Sequence, residues 1–306
     1  MRLAAPGPHG GDGRRLSAAL GLDPDTVVDL SASLNPFAPD VARLAATTLA
    51  RHPDIVSSYP DASHATTALA AAIGVDADRL VLTNGGAEAI ALVAADAPVG
   101  AITDPEFSLY RRHLTTVRED APRWRSNPSN PRGTLAAATE DAAVWDEAFY
   151  PLATGNWTRG DEQSWRLGSL TKVWACPGLR LGYVIAPDRA GADRLRRAQP
   201  QWAVNGLIAT LVPELLEATD LHAWQRALRT SQHAFAAELA ALGFTVTTTE
   251  ANWVLVARSD LRSRLAHHGV VVRDLTSFGL GGMFRVALPS AGQHDRVLTA
   301  FSAIGP

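Results

Sequence analysis

A chain of 306 residues with a net charge of −3, 19% charged residues and 46% hydrophobic residues has enough material for two lobes with substantial cores. The balance gives no basic footprint for nucleic acid, argues against a disordered tail protein, and leaves no apolar stretch of membrane-spanning length. Cys176 is the single cysteine, so no intrachain disulfide can form, and the opening MRLAAPGPHGG lacks the apolar run of a signal peptide, which makes the cytoplasm the expected location.

In chain order, an extended N-terminal arm is expected over 1–40, carrying VVDLSASLNPFAPD. Helices are predicted near 40–50 and 64–74, where small apolar residues gather on one side. RLVLTNGG reads as a strand running into a glycine turn, and AEAIALVAA as the helix after it. AITDP, AAVWDEAF and LGYVIAP are short buried-type strand candidates ending near polar or turn residues. The pattern is helical from about 206 to 242, after which FTVTTTEANWVLVA, GVVVR and MFRVAL read as strands of a smaller domain. The boundaries are therefore an arm at 1–40, a large domain at 41–205, and a connecting helix with a small C-terminal domain at 206–306. Alternating strands and helices make this an α/β chain, with sites expected at the carboxyl ends of the strands.

Lys172 is the only lysine beside twenty-seven arginines. A task that guanidinium cannot perform is a deprotonated amine for reversible imine formation with an aldehyde, although codon bias alone could also leave one lysine. Around it in SLTKVWACPGLR, Ser169 and Thr171 offer hydroxyls, Arg180 a fork of donors, and Gly178 a tight turn between them, a set suited to phosphate. Upstream, Asn84-Gly85-Gly86-Ala87-Glu88 closes a strand and opens a helix, aiming the N–H groups of Gly86 and Ala87 along the positive end of the helix. An aldehyde and a phosphate on one cofactor identify pyridoxal phosphate. Its ring nitrogen needs a buried carboxylate, for which Asp146 is placed; its ring oxygen needs a donor, for which Asn130 is placed; Phe107 would cover the ring face. Taken singly, Asp146, Asn130 and Phe107 are also ordinary cap, turn and core residues.

The ordered motifs HGG at 9–11, SASLNPF at 31–37, YPD at 59–61, NGGAE at 84–88, PEFSLY at 105–110, NPSNPRG at 127–133, DEAF at 146–149, SLTK to LGY at 169–183 and FRVAL at 284–288 span nearly the whole chain. By them the chain resembles fold-type I pyridoxal phosphate enzymes of the class I/II aminotransferase superfamily, in the branch holding histidinol-phosphate aminotransferase and L-threonine-O-3-phosphate decarboxylase. The resemblance implies a large domain with a mostly parallel central sheet plus a small α+β domain. It implies that Lys172 forms the covalent link, that Asp146 and Asn130 meet the ring, and that Gly86, Ala87, Ser169 and Arg180 hold the phosphate. Tyr59 resembles the tyrosine that reaches the neighbouring subunit's cofactor, implying a homodimer with shared active sites. Arg285 resembles the clamp for the substrate carboxylate, Arg273 and His9 resemble the decarboxylase arrangement for a substrate phosphate, and Asn35 joins the expected substrate-binding residues. No metal is expected.

The chain departs from its relatives at Phe149, where many read DEAY. Only sixteen residues separate Tyr110 from Asn127 and twelve separate Gly133 from Asp146, intervals in which relatives usually place helices; part of the sheet is expected to be bared or handed to a partner. The reaction turns on which Cα bond stands perpendicular to the conjugated ring, and so on how Arg285 and Arg273 hold the substrate. The leading reading is decarboxylation of an O-phosphorylated amino acid, which would imply cobalamin biosynthesis. The alternatives are an aminotransferase of histidinol-phosphate type and a catalytically reduced cofactor-binding protein.

Overall fold

The computed structural model describes residue 7 and residues 9–306. The arm contributes α1 (Gly13–Leu20) and β1 (Val28–Asp29), followed by α2 (Val41–Arg51) and α3 (Ser63–Ile73). Next come β2 (Leu80–Thr83), α4 (Gly85–Asp96), β3 (Val99–Gly100), α5 (Ser108–His113), β4 (Thr116–Val117), β5 (Trp124–Ser126), β6 (Val144–Asp146), α6 (Tyr150–Thr154), β7 (Trp165–Ser169), α7 (Leu170–Val173), β8 (Gly182–Ile185) and α8 (Arg189–Ala198). The C-terminal part holds α9 (Gly206–Glu217), α10 (Leu221–Ala241), β9 (Thr245–Thr248), β10 (Trp253–Ala257), α11 (Leu261–Ala266), β11 (Val270–Val271), β12 (Arg273–Asp274), β13 (Met283–Ala287) and α12 (Ala291–Ile304).

Five strands form the main sheet in the order β2-β8-β7-β6-β5. β8 runs antiparallel to both neighbours and the other four are mutually parallel. A parallel bridge from Ala101 to Arg123 sets the β3–β4 pair beside β5. The AITDP segment therefore makes a single bridge rather than a full strand. WRLGS, whose Arg166 breaks any apolar run, is a fully buried strand that the sequence pattern did not disclose.

Every residue of β2, β7 and β8 is buried, as strands covered on both faces must be. Their alternation sends Leu80, Leu82, Tyr183 and Ile185 into one cluster with α2, α3 and α9, and Val81, Leu167 and Val184 into another with α4, α5 and α8. Each fully buried Leu or Val adds about 1.5–3 kcal/mol, so the sheet edge that carries the site rests on a stiff base. α9 starts at Gly206, where the connecting helix was expected, and packs on α2 and α3; its side-chain cap is Asn205, which accepts from Ile208 N at 3.0 Å.

The C-terminal antiparallel sheet, ordered β12-β13-β10-β9, packs with α10 and α12 around a third cluster that also takes in Val28 and Leu30 of the arm. β1 pairs in parallel with β11. A few residues later Asn35 binds α7: its backbone N–H donates to Lys172 O at 3.1 Å and its amide to Val173 O at 2.9 Å. The arm thus crosses from one core to the edge of the main sheet.

The face thinned by the short intervals is not bare. Trp145 is fully buried, with the Arg159 guanidinium 4.7 Å from its ring centroid. Arg159 donates to the carbonyls of Ala136, Ala137, Ala138 and Glu140 and to Asp161, so one side chain pins the 136–140 loop over the sheet where a helix was expected to be missed. Among the described residues no helix is long and apolar enough to cross a membrane.

Candidate active site

The carboxyl ends of β2, β5, β6 and β7 meet at one edge, and because β8 is reversed, its beginning arrives there too. This edge opens on a cavity of about 400 Å³, lined among others by Gly86, Ala87, Phe107, Asn130, Asp146, Ser169, Lys172 and Arg180 from the sheet side and by His9, Arg273 and Arg285 from the arm and the C-terminal sheet. Residues up to 276 positions apart in sequence are collected there by topology alone.

Lys172 sits on the four-residue α7 directly after β7, and its Nζ donates to Ala32 O at 3.1 Å. Burial first, then the charges of Arg285 and Arg180, hold its pKa down to about 8. Phe149, the position that reads Tyr in many relatives, has its ring 5.9 Å from Nζ and packs edge-on against Trp253. Asn35 does not line the cavity; its amide and backbone N–H are spent on α7, so it holds the lysine's helix where a substrate contact was expected.

Asp146 ends β6 with its carboxyl in the cavity wall. Its Oδ2 accepts from the Tyr110 hydroxyl at 2.7 Å and its Oδ1 from Ala148 N at 3.1 Å, while burial pushes its pKa up. Asn130 Oδ1 accepts from Arg285 Nη1 at 2.8 Å, which turns the donor end of the amide away from the guanidinium. Phe107 borders the cavity and meets Tyr110 and His9 edge-on.

At the other end, Arg180 stands beside the start of α4. Its Nη2 donates to Asn84 O at 3.4 Å, and the neighbouring Gly85 has a φ of 75°, the left-handed region that favours glycine. Ser169 Oγ and Thr171 Oγ1 lie 2.8 Å apart, and Gly86 is packed against Ser169. The left-handed positions of the turn are Ala175 and Arg180; Gly178, expected to provide it, has ordinary backbone.

Arg285 is buried with its guanidinium 4.9 Å from the Trp253 ring centroid; Nη2 donates to Ser31 O at 3.3 Å and Nε has no partner. Burial, then Arg273, lowers its pKa to about 9. Arg273 is buried rather than on the surface and donates to Gly7 O at 2.7 Å and Ser277 Oγ at 3.0 Å. His9 Nδ1 is buried without a partner, and burial followed by the charge of Arg273 lowers its pKa. Tyr59 is 79% exposed, stacks on Trp202 at 4.3 Å, and stays outside this chain's own cavity. The support given by Tyr110, by the carbonyls of Ser31 and Ala32, and by Ser126 was not read from the sequence; the one signal was that Phe107 and Tyr110 are spaced to share a helical face.

The donor set fits an aldehyde cofactor with an anionic tail: an amine and a buried carboxyl at one end, and a guanidinium, two hydroxyls and a helix start at the other. Fold and site together define a fold-type I pyridoxal phosphate enzyme. The chain belongs to the aminotransferase class I and II family, whose profile matches residues 125–304. It is 32% identical to threonine-phosphate decarboxylase of Salmonella typhimurium, with 95% of each chain covered. It is 28% identical to histidinol-phosphate aminotransferase 1 of Thiobacillus denitrificans, over 99% of this chain and 92% of that one. The structure of histidinol-phosphate aminotransferase from Sinorhizobium meliloti in complex with pyridoxal-5'-phosphate superposes with a TM-score of 0.77 at 15% identity, covering 98% of this chain and 95% of that one.

Proposed function

We propose that the protein decarboxylates an O-phosphorylated amino acid, in the manner of an L-threonine-O-3-phosphate decarboxylase. The observation that carries this reading is a second buried guanidinium, Arg273, in the same cavity as Arg285 and beside His9. A carboxylate occupies one arginine; a second arginine with an imidazole suits a substrate that brings a second, multiply charged anion. The similarity to threonine-phosphate decarboxylase supports the same choice.

Pyridoxal phosphate, when bound, supplies an aldehyde for the substrate amine and an electron sink for the bond that breaks at Cα. Lys172 would provide the amine that holds the cofactor: with its pKa near 8 it offers roughly a few hundredfold more neutral amine at pH 7 than an ordinary lysine. Asp146 would face the ring nitrogen, steadied by Tyr110, and Asn130 would turn its donor to the ring oxygen. Gly86, Ala87, Ser169 and Arg180 would hold the phosphate. Arg285 would grip the substrate carboxylate and Arg273 with His9 the substrate phosphate, fixing the orientation about Cα. On loss of the carboxylate as CO2, Lys172 would return a proton to Cα.

The favoured alternative is an aminotransferase of histidinol-phosphate type, supported by the likeness to such enzymes. In it, Lys172 would move the proton between Cα and the cofactor carbon. A homodimer with shared sites belongs to either reading, with Tyr59 exposed to reach a neighbouring copy. Loaded protein mixed with L-threonine O-3-phosphate and no keto acid should release CO2 over many turnovers. A single conversion to pyridoxamine phosphate without CO2 would overturn decarboxylation in favour of transamination.

A further inference from the structure

A second carboxyl group lies behind the cavity wall. Glu106 is buried, and its partners are three donors from neutral groups: Phe107 N at 3.0 Å, Ser126 N at 3.0 Å and the Ser126 hydroxyl. When ionised, the carboxylate accepts from all three; a glutamine in its place would turn its N–H toward one of the two backbone donors, which meet different oxygens. Ser126 then hands the arrangement on. Its Oγ accepts from Asn130 N at 2.7 Å and lies beside the Tyr110 phenol, while its one proton goes to Glu106; Ser126 stands opposite Asp146 in the β5–β6 register. Tyr110 in turn donates to Asp146. The residues proposed to meet the two sides of the cofactor ring, Asn130 and Asp146, are therefore both tied to one glutamate.

We propose that Glu106 is a positioning residue of the cofactor site, holding Asn130 and Phe107 through Ser126 and setting, through Ser126 and Tyr110, how firmly Asp146 retains a proton on the cofactor ring nitrogen. The inference rests on the pyridoxal phosphate reading of the cavity. The charged and titratable groups facing Glu106 are Asp146 from β6, Tyr110 from α5 and Arg125 from its neighbour strand β5. Burial, opposed by the Ser126 and Phe107 hydrogen bonds, and then the charge of Asp146 bring its pKa up to about 7. When protonated, Glu106 has to donate, and Ser126 Oγ is the acceptor at hand; the serine proton then swings toward Tyr110. When ionised, Glu106 adds negative charge behind Asp146 and strengthens its hold on a ring cation. By reciprocity, a ring cation bound at Asp146 must lower the pKa of Glu106, so cofactor binding releases a proton there and tightens as pH rises through neutrality.

Glu147 provides an internal control. It too is buried with a pKa pushed up to about 7 by burial, but its Oε1 accepts from Arg159 N at 2.7 Å rather than from Ser126. With ¹³C-carboxyl-labelled glutamate, the cofactor-free wild type should show two resonances titrating near neutral pH. Pyridoxal 5'-phosphate should move one of them, absent from E106Q, to lower pH and leave the other in place. The E106Q variant should bind pyridoxal 5'-phosphate about tenfold more weakly and shift the pH midpoint of the visible absorbance; S126A should do the same, and the double variant should add little to either. Two unmoved glutamate resonances, or an E106Q protein whose melting temperature alone changes, would overturn the proposal. Should E106Q fail to fold, the wild-type titration decides. A wild type that acquires no visible absorbance with pyridoxal 5'-phosphate defeats the cofactor reading itself, and is seen before any variant is compared.

Discussion

Arg159 lies over the Trp145 ring at 4.7 Å, and Arg285 lies over the Trp253 ring at 4.9 Å. Arg159 is saturated: four carbonyls and the Asp161 carboxylate take up its donors, and it fastens a loop. Arg285 makes two hydrogen bonds, leaves Nε unpartnered in a buried setting, and faces a cavity. The same cation on the same kind of platform serves structure where its donors are spent and recognition where they are held back.

The sharpest way to break this contrast begins at the cavity. Lys172→Ala should abolish the visible absorbance and lower turnover by about 10²–10⁴-fold or more, while folding is retained, as judged by absorbance and single-turnover assays. Retained turnover would remove the lysine from the chemistry. Arg285→Ala should raise the substrate concentration needed for half-saturation by the equivalent of about 2–5 kcal/mol of binding, because it would strip the proposed partner from the substrate carboxylate. Arg159→Ala should do the reverse: a loss of about 1.5–3 kcal/mol in urea unfolding, with cofactor absorbance intact. If Arg159→Ala weakened substrate binding as much as Arg285→Ala does, the distinction between spent and reserved donors would fail.

The smallest effect concerns the amine itself. Lys172 has a folded-state pKa lowered from 10.5 to about 8, so the folded state disfavours its charge. That penalty is present in full below the folded value and fades as pH rises toward the ordinary value. Cofactor-free Lys172→Met should therefore melt higher than wild type at pH 7, and the gap should close by about pH 10. A gap that widens with pH would show that the lysine stabilises the fold by its charge.

Much of the site was legible because its chemistry is local in sequence. Asn84-Gly85-Gly86 carries a turn into a helix start, Ser169 to Arg180 carries hydroxyls and cations within a few residues, and the structure places both segments at the cavity. What escaped is what depends on folding. Tyr110, Glu106 and Ser126 make buried hydrogen bonds that link α5 to β6 and the segment before α5 to β5, and nothing in a run such as PEFSLY reveals where its glutamate will point. Asn35 was expected at the substrate, and its amide donates to Val173 O, since a motif gives proximity and not the direction of an amide. The shortened intervals suggested a bare sheet because the covering residue, Arg159, is not in them; it lies on the far side of β6.

The arm segment at Ser31 and Ala32 carries a consequence for the order in which the protein becomes competent. Its two carbonyls receive Lys172 across 140 positions and Arg285 across 254. Contacts of such sequence separation close late in folding and, on the ribosome, only after most of the chain has emerged. A nascent chain that stops short of β13 would hold its lysine without the guanidinium that helps to lower the lysine pKa. Capture of the cofactor thus becomes a late event in biogenesis, and stalled chains released at successive lengths should acquire visible absorbance abruptly once the strand bearing Arg285 is free to fold.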